Sequence, residues 1–573
     1  MFRLALVALT LFTGGLTSSA RLAAADPLDC VPSAAQVVVV ADNPRKLAEA
    51  ITGLGAFKDA QKLAPVRQIY DSAKARRALQ LLAFAEKNLG AKWPELLDQL
   101  AGNGVALALH YDGDDLQPLV LVAEGKDEKQ SAKAVELVVG VIDEELARQG
   151  SKTSVKRTKV AGVEAFSVGD DVHFARIAAA LLVSNKAANL EAAIKSATDK
   201  NRQSHAARAA AIGLLPKNPS AWLWADLASI KKSQASKDFF ESTRQDFLQT
   251  LVLGATIDTI QRSKFLALGL YQEKTGFRLA LRMPAGREGM WPELAMHVPP
   301  KSAPGTLPLL EPPGTIYSHS LHLDVGYMWK HRDKLLSDEM RGNIEAGEKQ
   351  ISKVLPSNVK LGDLLEMWGP YHRVVVMNHD QRPYKTMPSQ KLPAFGYVGS
   401  ARDKKFGPSL DPVLRAAGLI GSIQYGLKMT ELEHEGVPLV VYRFPENKSL
   451  ADDPDGLRFN FEPCFAVVGD ELVLASTVEV GKKLITELKK PRTSQPTTTL
   501  LKGRFNAANA GQTLGELADA LTTDSVLTRG IGLADARKET ADLVAFVKTL
   551  GTVAVELDIT ESEYRVDVVW NIK

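Results

Sequence analysis

The chain has 573 residues, 45% of them hydrophobic and 24% charged, with a formal net charge of +3 at neutral pH. That is ordinary globular composition, and the length exceeds what one hydrophobic core supports, so two or more domains are expected. Both signs of charge are interspersed. The densest basic cluster, AKARRAL at 73–79, has the spacing of a solvated helix face. A nucleic-acid surface needs a larger positive excess interleaved with aromatic residues, so nucleic acid is excluded as a partner.

The first residues read as a leader. Arg3 gives a positive start, Leu4 to Leu16 is an apolar stretch too short to span a bilayer, and Ala23-Ala24-Ala25 offers a cleavage site, with Ser18-Ser19-Ala20 as a second one. Removing residues 1–25 takes away Arg3 and Arg21 and no acid, so the formal charge falls from +3 to +1. No later stretch approaches the ~18 uninterrupted apolar residues of a membrane helix. The mature chain is therefore expected to be exported, periplasmic or secreted, with no transmembrane span. Cys30 follows Pro-Leu-Asp, not the small residues of a lipid-attachment site. Cys30 and Cys464 are the two cysteines. In an oxidising compartment they could close a disulfide, or each could stand as a buried thiol.

From Trp93 onward the chain says the same thing twice. WPELLDQLAGNGVALALHYD at Trp93 matches LGDLLEMWGPYHRVVVMNHD at Leu361: a short helix with a Leu-Leu pair, a glycine, then an apolar strand. The strands LVLVAEG at Leu119 and AFGYVGS at Ala394 follow, each running into a long helical segment. In the first, Ala134, Leu137, Val138, Val141, Ile142 and Leu146 recur at helical steps, giving one apolar face. Gly162-Val163 and Gly436-Val437 then turn between two strands, LLVSN and LVLAS end the next hairpins, and a helix follows each. A strand, polar turn and strand close each half, with alternation at Phe277, Leu279 and Leu281. Five matches in the same order, offset by roughly 270 to 290 residues, read as a tandem duplication.

The expected fold class is α+β: two tandem duplicated modules, each a mainly antiparallel sheet with helices packed on one face. The expected boundaries are a signal peptide at 1–25, the first module at 26–283, a proline-rich linker at 284–314 and the second module at 315–573. The prolines at 299–300 and 312–313 favour extended, poorly packed backbone in that linker.

Signatures of chemistry are weak. The chain has no HExxH, nucleophile elbow, P-loop, CxxC or complete G-x-G-x-x-G. Asp112, Asp114 and Asp115 in HYDGDDLQ could offer oxygens to a hard cation, but Asp-Gly equally makes the hairpin turn between two apolar strands. His319, His322 and Asp324 in SHSLHLD could suggest a metal. On a strand, however, residues three apart point to opposite faces, so only His322 and Asp324 could pair. Trp222 and Trp224 in AWLWADL share a strand face; such a pair could contact a sugar or an acyl chain, or fill the core between sheet and helix. Asp143, Glu144 and Glu145 suit a solvated helix face. No residue stands out as catalytic, and no cofactor or metal site is assigned.

The leader, then VPSAAQVVVVADNPRKLAEAI near the mature start, then VAGVEAF…LLVSN…LEAAI, resembles a family of exported bacterial proteins of unknown function. The resemblance covers most of the first half and, more faintly, the second. It implies an exported location and an α+β fold, and carries over no catalytic or binding residues. The second half departs from it by the insertion PENKSLADDPDGLRFNFEPC before Phe465. The function expected from these features is non-enzymatic: binding a protein partner or serving as structure in the envelope or periplasm. The alternatives are a carrier of a hydrophobic ligand or lipid and, less favoured, a hydrolase whose site is assembled from distant residues.

Overall fold

The structure, a computed structural model, describes residues 26–112, 115–150, 154–199, 205–242, 247–352, 359–380, 383–450, 452–491 and 498–572. The leader at 1–25 and Asp114 of the acidic loop lie outside the described residues. Two compact units emerge: residues up to Asp238 with Ser263–Pro284, and Phe239–Arg262 with Ala285 onward.

In the first unit the strands are β1 (Val37–Ala41), β2 (Gly104–Asp112), β3 (Asp115–Glu124), β4 (Lys156–Val160), β5 (Val163–Val168), β6 (Val172–Ile177), β7 (Ala180–Ser184), β8 (Ala221–Ala225), β9 (Leu266–Glu273) and β10 (Gly276–Met283). They pair antiparallel in the order β4-β5-β6-β7-β3-β2-β1-β8-β9-β10. The second unit contributes β11 (Thr315–His322), β12 (Trp368–Met377), β13 (Ala394–Ala401), β14 (Lys428–His434), β15 (Val437–Arg443), β16 (Cys464–Val468), β17 (Glu471–Ala475), β18 (Thr499–Asn506), β19 (Thr552–Ile559) and β20 (Tyr564–Asn571). Its order is β14-β15-β16-β17-β13-β12-β11-β18-β19-β20, again all antiparallel. Strand for strand, the two orders are the same.

The recurring Gly-Val phrase is a turn. Ala161 and Gly162 have φ of 50° and 82°, and Glu435 and Gly436 have 49° and 74°. Positive φ at both central residues marks the two-residue turn whose twist matches the strands it joins. Glycine sits second each time because the left-handed region costs it nothing.

Helices cover both faces of each sheet, which corrects the expectation of one covered face. In the first unit Ala165, Ala175 and Leu182 pack with Ala193 and Ile194 of helix Ala187–Thr198 and with Ala207 and Ala211 of helix Ala206–Leu214. Their strand neighbours Phe166, Phe174 and Leu181 point the other way. They meet Ala134, Val135 and Val138 of helix Glu128–Arg148, together with Ala85, Leu89, Leu96 and Leu100 of helices Ala73–Leu89 and Trp93–Ala101. The second unit repeats this. Cys464 and Ala466 pack toward Val480, Leu484 and Ile485 of helix Val478–Lys489, while Phe465 packs toward Leu414 of helix Phe406–Tyr425. Successive strand residues face opposite sides, so a strand buried on both is a continuous apolar run.

The proline-rich stretch is not poorly packed. Pro292–His297 forms a 3-10 turn, and Leu294 and Met296 are buried with Met328, Leu335 and Met340. Among the described residues no helix is long and apolar enough to cross a membrane.

Gly162 and Gly436 have nothing within 4 Å of an added Cβ. Gly162→Ala and Gly436→Ala should therefore each cost about 1–2 kcal/mol from backbone strain alone. Equal losses in urea denaturation are expected, and a negligible loss at either position would remove the turn assignment there.

Candidate functional site

Trp222 and Trp224 lie on β8 and both are buried. They belong to the main core of the first unit beside Val38, Val40, Ala207 and Ala211. The His205 ring meets Trp224 edge-on at 5.5 Å, and the Arg208 guanidinium sits 5.5 Å from the Trp222 ring centre. Arg208 is itself held by Asp26 at 2.6 Å and Asp42 at 3.2 Å. The pair thus fills the space between sheet and helix, as the core alternative expects, and offers no open platform to a ligand.

Cys30 and Cys464 are not joined to each other, so the disulfide considered from the sequence is not formed and the buried-thiol alternative holds. Each is buried in the core of its own unit. Burial pushes the Cys464 thiol up to about 12, which leaves it protonated and inert.

Asp112 and Asp115 are cross-strand partners at the ends of β2 and β3, as a tight turn requires. On the helix Glu128–Arg148, Glu145 is gripped by Arg148 and Arg77, each at 2.8 Å, which holds its carboxyl far below the ordinary range. Asp143 accepts the backbone N–H of Val155. These acids are occupied with local structure.

Three buried histidines gather in the second unit, where β11 ends beside β12. His322 is 6% exposed, His372 7% and His297 9%. The His322 ring meets its cross-strand partner Tyr371 edge-on at 5.7 Å. The His322 ring lies beside the backbone of His297, and the His297 ring beside that of Thr250. His372 donates through Nε2 to the Leu323 carbonyl at 2.8 Å and accepts at Nδ1 from the Tyr397 hydroxyl at 2.6 Å. Desolvation lowers all three imidazoles, His297 and His322 to about 4, so at neutral pH the group is uncharged.

His319 points away, as the strand period demands, and its Nδ1 meets the Tyr317 hydroxyl at 2.9 Å. Asp324 does not face His322 along a strand. It lies just past β11 and caps helix Val325–Lys330 by accepting the Tyr327 N–H, with its second oxygen on Arg402 at 2.6 Å. Among the described residues no group of three His, Cys, Asp or Glu side chains could hold a metal ion. Among the described residues His297 Nε2 and His322 Nδ1 are buried without a hydrogen-bond partner. Buried this way they have no route to a substrate proton, so the cluster is a structural feature and not an acid–base pair.

His297 and His372 were missed in the sequence, because each is a lone histidine brought to the others by long-range pairing. The only sequence signal is the offset match that places HRVVV on a strand.

Comparison with known proteins adds little. No family model matches the chain, and no curated protein matches it. A solved structure described as crystal form I of TP0453 is similar at 11% identity over 46% of this chain and 81% of that one, with a TM-score of 0.23. That likeness is too slight to carry an argument.

If Trp224 is core, Trp224→Ala should destabilise the chain by about 3–5 kcal/mol, seen as a lower urea midpoint. An unchanged midpoint would return the pair to the role of a ligand platform.

Proposed function

We propose that this protein is an exported, non-enzymatic envelope or periplasmic protein that binds a protein partner. We further propose that its halves arose by tandem duplication and that it belongs with the exported bacterial family its sequence resembles. The shared strand order supports the duplication, and the leader-like start supports export.

One observation carries the binding role. In the first unit, the helix that follows β3, Glu128–Arg148, buries Ala134, Val135, Val138 and Val139 beneath helices Ala73–Leu89 and Trp93–Ala101. The equivalent helix after β13, Phe406–Tyr425, fully buries only Phe406 and Gly407. Leu419 is 63% and Ile423 76% exposed, with Ile420, Tyr425 and nearby Met429 also open. The helix that would serve as cover, Asp338–Ile351, instead packs Met340 and Ile344 against Leu294, Met296 and Met328. An apolar face of this kind marks an interaction site. The occupant that fits is an amphipathic helix of a partner protein, because a helix fills the same position in the first unit.

A carried lipid finds less support. The apolar hollow lined by Gly254, Ile257, Trp291, Leu294 and Leu335 holds about 40 Å³, far below the ~300 Å³ at which ligand pockets begin. A hydrolase finds less still, since the histidines that do gather are sealed from solvent.

Photo-crosslinking tests the surface in the native exported fraction. A crosslinker at Ile423 should give one discrete protein adduct, while one at exposed Lys404 gives none. Leu419→Glu with Ile423→Glu should abolish the complex and leave stability within about 0.5 kcal/mol. Native mass spectrometry of the same material reads the alternative: a stoichiometric lipid with no protein adduct would overturn the proposal in favour of a carrier.

A further inference from the structure

The histidine cluster ties four elements of the second unit together. The His297 ring, at the end of the 3-10 turn Pro292–His297, packs against helix Phe247–Arg262 at Gly254. The His322 ring, at the end of β11, lies beside the backbone of His297 and meets the Tyr371 ring of β12 edge-on. The His372 ring, on β12, bonds the Leu323 carbonyl just past β11. Backbone bonds run through the same place, from Asp324 N to Met296 O at 2.8 Å and from Leu323 N to Pro370 O at 2.7 Å. Behind them lies the apolar cluster of Leu294, Met296, Met328 and Leu335.

We propose that His297, His322 and His372 form an acid-released latch, which holds the 3-10 turn and helix Phe247–Arg262 against the β11–β12 end of the second sheet. Neutral imidazoles suit this site: His372 donates its one N–H to the Leu323 carbonyl, and His297 and His322 are buried. A second proton does not. On His297 and His322 it would enter at buried nitrogens that have no acceptor among the described residues. On His372 it would enter at Nδ1, which already accepts from Tyr397.

The charged groups on the surrounding elements are committed elsewhere. Asp258 holds Arg262, Glu293 holds Lys334, Asp324 holds Arg402, and Glu471 holds Arg373. The other titratable neighbours are the phenols of Tyr371 and Tyr397, both raised by burial, and His331, which bonds the Tyr327 carbonyl. Protonation of His322 is favoured by the Asp324 charge and the His297 backbone and opposed by His297 and His372, and that of His372 is favoured by the Leu323 carbonyl and Asp324.

The sign follows from linkage. The closed state holds these rings below their ordinary value, so between about pH 6.5 and 4 the opened state binds more protons. The latch is therefore fully closed above about pH 6.5 and weakens as pH falls. Each linked proton raises the opening constant about tenfold per pH unit, so two raise it about a hundredfold between pH 6 and 5.

Amide hydrogen exchange of the full chain, corrected for intrinsic rates, tests this at pH 7.5, 6 and 5. Residues 247–262 and 292–297 should gain about a hundredfold in opening between pH 6 and 5, while β1 and β2 of the first unit hold. Equal behaviour at all three pH values would overturn the latch, as would equal loosening of β1 and β2. In His297→Gln with His322→Gln the response should fall to tenfold or less. Should that variant not fold, imidazole NMR of the unaltered chain decides the matter. Rings that titrate near 6.5 while the segment stays closed would contradict the proposal.

Discussion

Each unit depends on one strand that joins two halves of its sheet. β1 lies between β2 and β8, with Val38 opposite both Ala108 and Trp224. Without it the ladder would fall into the six strands β4-β5-β6-β7-β3-β2 and the three strands β8-β9-β10, each with a new unpaired edge. Buried backbone donors and acceptors left without partners are costly, so this strand sets the register of everything around it. β11 holds the same place, between β12 and β18.

The two central strands solve that problem with different chemistry. β1 is VVVVA, and Val38 and Val40 are fully buried in an apolar core. β11 is TIYSHSLH, and it buries Ser318, Ser320 and His322. Ser320 is satisfied by Thr306 at 2.6 Å, whereas Ser318 Oγ finds no partner among the described residues. Each buried polar group left unpaired costs about 1–3 kcal/mol. The second unit therefore has a more polar and more conditional centre than the first. It also leaves an apolar helix face open, and both departures from the first unit fall in the half where the proposed functions lie.

Much of this architecture was legible from local pattern. The repeated glycine turns, the strand endings and the long helices could be placed because they rest on residues a few positions apart. The helices on the second face were not foreseen, although LVLVA, ALLV and FAVV carried the signal. An unbroken apolar run is what a strand buried on both sides requires, but a run this short also fits a strand with one covered face. The sealed histidines were harder, because His297, His322 and His372 come from three segments and meet only through the β11–β12 pairing and the packing of the 3-10 turn. The tryptophan pair was ambiguous for a related reason. Two indoles on one strand face say which way they point, and only the helix laid over them by later residues shows that they are core.

Disulfide trapping across the two central strands tests the shared architecture most directly. With Cys30 and Cys464 replaced by serine, cysteine pairs would be placed at Val39 with Leu107, Val39 with Leu223, His319 with Val374, and His319 with Gly503, all cross-strand partners. All four pairs are predicted to close on mild oxidation in the folded chain, placing β1 and β11 each between two neighbours. If either strand cross-links on one side only, it is an edge strand, and the claim that both units are built around the same central strand is wrong.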